Sequence, residues 1–285
     1  MKKTISPYRD YGTWIRQQFP FRVQKIAIDA GFTCPNRDGT LARGGCIFCN
    51  NATFNPSYCN KTKTITRQLQ EGKAFFARKY PDMKYLAYFQ AYSNTYAPLP
   101  VLRQRYEEAL AVPDVVGIVI ATRPDCIDDE KLDYLASLSK RTFLILEYGV
   151  ETCNDRTLSI INRHHTFECS RQAIIKTHQC GITVCAHFIL GLPGEDKEEI
   201  LRQAEIISSL PIDILKLHQM QIIKGTPLAK VIYPEPVEGT PPPHIFTPDE
   251  YIDIISTIIR KIGIVAFRLN TRLSAISNYS TPFQQ

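Results

Sequence analysis

Three cysteines in one short stretch carry the clearest chemical potential of this chain. Cys34, Cys46 and Cys49 are spaced C-x11-C-x2-C within the stretch Gly31–Cys49. Three thiolate sulfurs brought together select soft metals, in practice zinc or an iron–sulfur cluster. Asp38-Gly39 and Gly44-Gly45 let the backbone turn tightly and aim N–H groups at a negative centre. Arg37 and Arg43 can offset the same charge and favour thiolates. A structural zinc needs four closed ligands, and the next thiol, Cys59, lies ten residues past Cys49 with no Cys or His paired to it. Ligand count and spacing weigh against zinc, and both metals stay open on these residues alone. The other thiols, Cys59, Cys126, Cys153, Cys169, Cys180 and Cys185, read as core or incidental side chains.

These residues need a frame. Short β-rich runs recur at 22–29, 85–90, 115–121, 143–150, 182–190 and 213–220. After the first gap their centres lie ~30–40 residues apart, a strand plus a crossover helix. Asp128 can cap a helix carrying Leu132, Leu135 and Leu138. A helix with early acids should follow Gly194, and Thr247-Pro248-Asp249-Glu250 opens another with a capping residue, Pro at the first position and Glu three residues on. The alternation predicts a parallel α/β sheet covered by crossover helices. Periodicity does not say whether it is open or curled. Either way the chemistry belongs at the carboxyl ends of the strands. Two segments break the pattern: the Gly-, Asn- and Pro-rich loop over 31–63, and the Pro-rich stretch over 233–244.

Polar residues gather where the predicted strands end: Gln90 with Ser93-Asn94-Thr95, Arg123, Glu147 and Glu151, then His187 and the Gly191–Glu195 turn, then Lys216 and His218. Glu147 and Glu151 could instead form surface ion pairs with Arg163 or Lys140, for Glu147 as readily as a site role, and His187 could equally be a hydrogen-bonded core residue. Arg123 and Arg163 read as ligand contacts, whereas His164 and His165 read as loop support. Lys216 and His218 alternate along one strand and so share a face. The basic series Lys61, Lys63, Arg67, Lys73, Arg78, Lys79 and Lys84 is either a solvated helix face, narrowly favoured, or a phosphate-tracking patch for RNA.

Composition narrows the class. The chain has 285 residues, is 44% hydrophobic and 22% charged, and carries 34 − 28 = +6 formal charges. That excludes general disorder and allows one barrel-sized domain. Nine cysteines are too few for a disulfide scaffold, and their odd number suits a reducing compartment. No apolar run nears the ~18–20 residues of a membrane span, and Met1–Pro7 has no apolar segment behind its charge. The expectation is a cytoplasmic protein with no membrane contact.

With these motifs in hand, the chain resembles the radical S-adenosylmethionine (SAM) superfamily. GFTCPNRDGT…GGCIFCN, YFQAYSNTYAP, ATRPD, INRHH and HFILGLPGE occur in the order found in its YhcC/YtqA-like group, from about Tyr11 to Thr226. That group is related to the Elongator catalytic subunit and to oxygen-independent coproporphyrinogen oxidase. The resemblance implies a partial (β/α)6 barrel in which Cys34, Cys46 and Cys49 hold three irons of a 4Fe-4S cluster. The fourth iron is left to the amino and carboxylate groups of SAM. Phe48 matches the aromatic residue that usually precedes the third Cys. Ser93, Asn94 and Thr95 stand where relatives hold the SAM amino group, Glu151 at the polar position near its ribose or methionine part, and Gly191 to Gly194 at the turn that packs on adenine. An external one-electron donor, flavodoxin- or ferredoxin-like, is implied, as is reductive cleavage of SAM to a 5′-deoxyadenosyl radical.

Resemblance to the YtqA-type branch further implies tRNA as partner, with modification of the wobble-uridine side chain. The alternatives are a radical SAM enzyme for a small metabolite, or a non-catalytic metal- or RNA-binding protein on the same scaffold. The expected division is an N-terminal extension over 1–20, the barrel over 21–230, the Pro-rich loop over 231–246, and a C-terminal helix with a divergent or truncated tail over 247–285. Two features depart from the family pattern: Gly149-Val150-Glu151-Thr152 stands for the usual G-L-Q-S, and Arg163-His164-His165 for R-G-H.

Overall fold

The computed structural model describes residues 8–77, 82–232, 241–262 and 266–270. In chain order the elements are β1 (Arg9–Asp10), α1 (Tyr11–Gln18), β2 (Val23–Ile28), α2 (Pro35–Asp38), α3 (Ile65–Ala77), β3 (Lys84–Phe89), α4 (Leu99–Leu110), β4 (Val115–Thr122), α5 (Asp129–Ser139) and β5 (Phe143–Glu151). There follow α6 (Asp155–Ile160), α7 (Phe167–Gln179), β6 (Thr183–Leu190), α8 (Lys197–Ser208), β7 (Ile214–Gln219), α9 (Pro227–Ile232), α10 (Pro248–Ile262) and β8 (Ala266–Asn270).

The six predicted strands form, and the sheet is parallel throughout in the order β1-β8-β7-β6-β5-β4-β3-β2. Two strands were not predicted. The pair at Arg9–Asp10 lies beside β8, which in turn extends the sheet past β7. Lys216 on β7 lies 5.9 Å from the ring centre of Tyr88 on β3. Four ladder steps separate those strands, about 19 Å on a flat sheet. The sheet is therefore curled, with the inner faces of its strands meeting as a half-barrel.

Local signals explain the covering helices. The Asp128 carboxylate accepts from the Lys131 N–H at 2.9 Å, as its capping position predicts. Thr247 and Glu250 form a reciprocal capping box at the start of α10: the Thr247 N–H donates to the Glu250 carboxylate at 2.8 Å, and the Glu250 N–H to the Thr247 hydroxyl at 3.3 Å. Lys197–Asp253 and Lys261–Glu205 pairs tie α10 to α8. Outward strand residues such as Ile26, Ile118, Leu146 and Val184 pack under the helices. Inside the barrel, Trp14 of α1 joins Leu86, Val119, Ile145 and Ile214, and its ring stands 6.1 Å from that of Phe143 at the start of β5. Among the described residues that cluster fills the amino-terminal end of the barrel, below the cavity at the carboxyl ends of the strands.

Of the Pro-rich stretch, 233–240 lies outside the described residues, as does the tail over 271–285. No helix among the described residues is long and apolar enough to cross a membrane.

Candidate active site

A cavity of about 600 Å³ lies at the carboxyl ends of the strands, and Cys34, Cys46 and Cys49 all line it. The eleven residues between the first two thiols do not separate them, because the chain folds back on itself. The turn of α2 begins right after Cys34, Asp38 and Arg43 pair in an antiparallel bridge, and the Gly45 N–H returns to the Asn36 carbonyl at 2.9 Å. The Asn36 amide donates to the Cys46 Sγ at 3.6 Å and to the Asn162 carbonyl at 2.7 Å. Arg37 donates to the Cys49 carbonyl at 2.8 Å and lines the cavity as expected. Arg43 does not: it is exposed and lies over Gly39.

Two arginines organise the wall above the strands. Arg163 donates to the Gly149 carbonyl, approaches the Cys46 Sγ at 3.6 Å and pairs with Glu151 at 3.3 Å. Burial disfavours its charge, but its neighbours Cys46 and Glu151 outweigh that and raise it above the ordinary guanidinium range. Arg123 grips Asp125 with two bonds at 2.8 and 2.7 Å and donates to the Arg163 carbonyl at 2.9 Å. Glu151 sits at a bulge in the β5–β6 ladder with φ +71°, a strained conformation for a non-glycine residue that turns its carboxylate inward. Burial raises its carboxyl despite Arg163. Gly149 leaves the room this needs, since a Cβ there would lie 2.6 Å from Glu151 Oε1 and 2.9 Å from Arg163 Nη2.

Ser93 Oγ, Arg123 Nη1 and Arg163 Nε are buried at this wall with no hydrogen-bond partner in the protein. All three residues line the cavity, and two guanidiniums with a hydroxyl there suit a charged, many-oxygened ligand. Three convergent thiols beside two guanidiniums fit a soft, negatively charged metal centre. Cys59 takes no part. It is buried in the core, where burial pushes its thiol up to about 12, and it does not line the cavity.

Deeper in the barrel lies a second set of charges. Glu147 is 1% exposed. It pairs with Lys25 through one oxygen and with His187 through the other at 2.9 Å, while Lys216 stands 4.0 Å away. Of the two readings open for Glu147, the inward one holds and the surface pairing does not, whereas Glu151 does pair with Arg163, though in a buried setting. Burial would raise the Glu147 carboxyl, but Lys25 and Lys216 hold it well below the usual carboxylate range. Burial, reinforced by Lys216, pushes His187 down to about 4, so it is neutral. Glu147, Cys185 and His187 place donor atoms within 4.8 Å of one another. Two ammonium groups beside the same carboxylate make that triad a poor cation site. Lys25 and Tyr88 were not singled out from the sequence, since an inward polar strand residue alternates just as a solvent-facing one does.

The remaining expected residues fall elsewhere. Asn94 spends its side-chain amide on the Phe89 and Ala121 carbonyls at 3.0 and 2.8 Å, and Thr95 spends its hydroxyl on the Thr122 hydroxyl and the Cys126 carbonyl at 2.6 and 2.7 Å. Both brace the strand ends and leave Ser93 as the member of the trio that lines the cavity. Gly191 and Gly194 lie against the 241–246 segment. The His244 N–H donates to the Gly191 carbonyl at 3.0 Å, and a Cβ on Gly191, with φ +84°, would meet the His244 oxygen at 2.2 Å. His165 bonds the Thr166 carbonyl at 3.1 Å, in keeping with loop support.

Comparison with known proteins fits this geometry. A profile of the radical SAM superfamily matches residues 34–206. YtqA of Bacillus subtilis is 44% identical over 227 residues, covering 80% of this chain and 70% of YtqA. YhcC of Escherichia coli is 39% identical over 221 residues, covering 77% and 70%. A tRNA uridine(34) acetyltransferase of Methanocaldococcus jannaschii is 28% identical over 116 residues, which is 40% of this chain and 21% of that protein. Among solved structures, Elp3 of Methanocaldococcus infernus superposes with TM-score 0.60 at 17% identity, over 87% of this chain and 56% of that one. Coproporphyrinogen III oxidase of Escherichia coli superposes with TM-score 0.53 at 16% identity, over 90% and 53%. The chain thus spans just over half of either solved structure. Enzymes of this superfamily bind a 4Fe-4S cluster and SAM and draw on an external electron donor. With its thiols converging at the open end of a curled parallel sheet, this chain belongs to the radical SAM superfamily.

Proposed function

We propose that this protein is a radical SAM enzyme acting on the side chain of the tRNA wobble uridine. Bound in this cavity, a cluster reduced by one electron from an external donor would, with SAM, supply hydrogen-abstraction chemistry. Cys34, Cys46 and Cys49 would hold the cluster. Ser93, Arg123 and Glu151 are the groups at the wall suited to the amino, carboxylate and hydroxyl groups of SAM, and Arg163 fixes Cys46 and the β5 end around them. The plug beneath the cavity keeps water out from below, which protects a reactive species. A flavodoxin- or ferredoxin-like protein is the proposed electron donor.

The observation that carries the tRNA reading is the similarity to tRNA uridine(34) acetyltransferases across 116 residues. The lining of the cavity supports it. Gln90, Asn50, Asn51 and Gln219 line the cavity with amides that can bond the edges of a base. A base would have to leave its stack to enter. The basic series before β3 does not serve as the phosphate track in this reading. Lys63 and Arg67 pair with Glu71, and Lys73 and Lys84 with Asp114, while Arg78 and Lys79 lie outside the described residues. A second reading, a small-metabolite enzyme, is favoured by the cavity volume of about 600 Å³, a size typical of small-molecule sites.

Nucleoside mass spectrometry of tRNA separates the two. A strain lacking the gene should accumulate an altered wobble uridine, restored by the wild-type gene and not by Cys46→Ala. An unchanged nucleoside profile would overturn the tRNA reading in favour of the metabolite.

A further inference from the structure

Glu151 keeps a left-handed backbone that only the surrounding structure can hold in place. On one side Arg163 supplies that hold, through the Gly149 carbonyl and the Glu151 carboxylate. On the other side the next three residues are each tied to α8 or to the turn that leads into it. The Thr152 hydroxyl meets Glu195 of that turn and Gln203 of α8. The Cys153 N–H donates to Gln203 Oε1 at 2.9 Å, and the Asn154 side-chain amide donates to Glu199 Oε1 at 2.9 Å. Thr152, Glu195 and Gln203 are all buried, and none of them lines the cavity.

The hydrogen atoms available do not fill this knot if Glu195 is ionised. The Cys153 N–H fixes the Gln203 amide with its oxygen toward the end of β5, so Nε2 is the atom that donates to Glu195 Oε1, at 2.9 Å. The Thr152 hydroxyl accepts from the Asn154 N–H at 3.0 Å and has a single proton to give. Two oxygens stand within its reach, Glu195 Oε1 and, at 3.0 Å, Gln203 Oε1. With a carboxylate at Glu195, one of these oxygen–oxygen contacts holds no hydrogen. With a neutral acid both are filled, because Glu195 donates to Thr152 and Thr152 donates to Gln203. Burial, reinforced by Glu199, raises the Glu195 carboxyl against the bonds from Thr152, Gln203 and, on α6, Thr157. The other charged or titratable groups around it are Arg202, paired with Glu199 at 2.7 Å, and the Cys153 thiol, which burial pushes up.

We propose that Glu195 is a neutral carboxylic acid whose proton locks the end of β5 to the β6–α8 turn, a positioning residue that keeps Glu151 turned inward for SAM. It acts through Thr152 and not by contact with the ligand. The inference rests on the reading of the wall as the SAM site, and it is independent of whether the substrate is tRNA or a metabolite.

Infrared spectra of the full, cluster-loaded chain at neutral pH read the proton directly. The difference between wild type and Glu195→Gln should contain the carbonyl band of a carboxylic acid, and carboxylate bands alone would overturn the proposal. Equilibrium dialysis with SAM, at matched iron content, reads the positioning. Glu195→Gln is neutral, has the same shape and loses one hydrogen bond of the knot, so its SAM affinity should stay within about threefold of wild type. Glu195→Ala and Thr152→Val should bind SAM about tenfold more weakly or worse. Thr152→Val removes only the hydroxyl and carries this arm should Glu195→Ala not fold. Unchanged affinity in the disruptive variants, or a loss in Glu195→Gln as large as theirs, would overturn the proposal. A wild type that binds no SAM would overturn the reading of the wall and the positioning role with it. No tRNA is in the sample, so the outcome is separate from that of the tRNA experiment.

Discussion

The wall of the cavity and the layer beneath it are both buried and both charged, yet they are built on opposite terms. At the wall the backbone is strained at Tyr92 and Glu151, with φ of +64° and +71°, and Ser93, Arg123 and Arg163 keep polar atoms unpaired. In the layer Glu147 has both oxygens occupied, and its partners come from strands on opposite sides of the barrel. Local strain with unmet hydrogen bonding marks a surface shaped for something outside the chain. Dense internal pairing marks a part that must be right before any ligand arrives.

That contrast can be broken from either side, and the layer promises the largest stability effect. Glu147→Gln leaves two ammonium groups buried without their carboxylate and should lower stability by about 3–5 kcal/mol in urea denaturation. A loss under about 1 kcal/mol would mean that the layer is hydrated and not a closed pair network. At the wall the effect should fall on activity. Arg163→Met removes the hold on the Gly149 carbonyl, the partner of Glu151 and a contact to Cys46. It should reduce 5′-deoxyadenosine formation about 10–100-fold with the cluster loaded. Unaltered turnover would show that Arg163 is scaffolding alone.

A pH series sharpens the comparison with a smaller effect. His187 titrates near 4 when folded and about 6.5 when unfolded. Between those values the unfolded chain binds the extra proton, so stability should be full above about pH 6.5 and decline as pH falls toward 4. The melting temperature of His187→Gln should decline less over that window than the wild type's, though Glu147 and His165 also favour the neutral-pH state. Identical slopes would place the imidazole in a wetter setting. The smallest effect belongs to Cys59→Ala, which should leave bound iron unchanged and cost about 1 kcal/mol of stability. Loss of metal in that variant would reinstate a four-thiol site.

Much of the frame was legible because its signals are local. The Asp128 cap, the Thr247–Glu250 box and the six apolar strand runs each declare themselves within a few residues, and all form as expected. The cysteine spacing likewise announced a soft-metal site, although it took the Asp38–Arg43 bridge to show how an eleven-residue gap closes on itself. The unread parts depend on distance along the chain. Arg9–Asp10 is a strand only because Ala266–Phe267 lies beside it. Lys25 becomes an inward residue only through Glu147, 122 residues later. Ser93, Asn94 and Thr95 share a motif, yet the turn of the chain sends one to the cavity and two to brace neighbouring strands.

The central claim, that three thiols at the mouth of this barrel serve radical SAM chemistry, has one direct test. The protein would be reconstituted with iron and sulfide without oxygen, then supplied with reductant and SAM, and 5′-deoxyadenosine measured against Cys46→Ala. Iron-dependent product in the wild type and none in the variant is the predicted result. Zinc taken up in place of iron, with no product from the wild type, would contradict it.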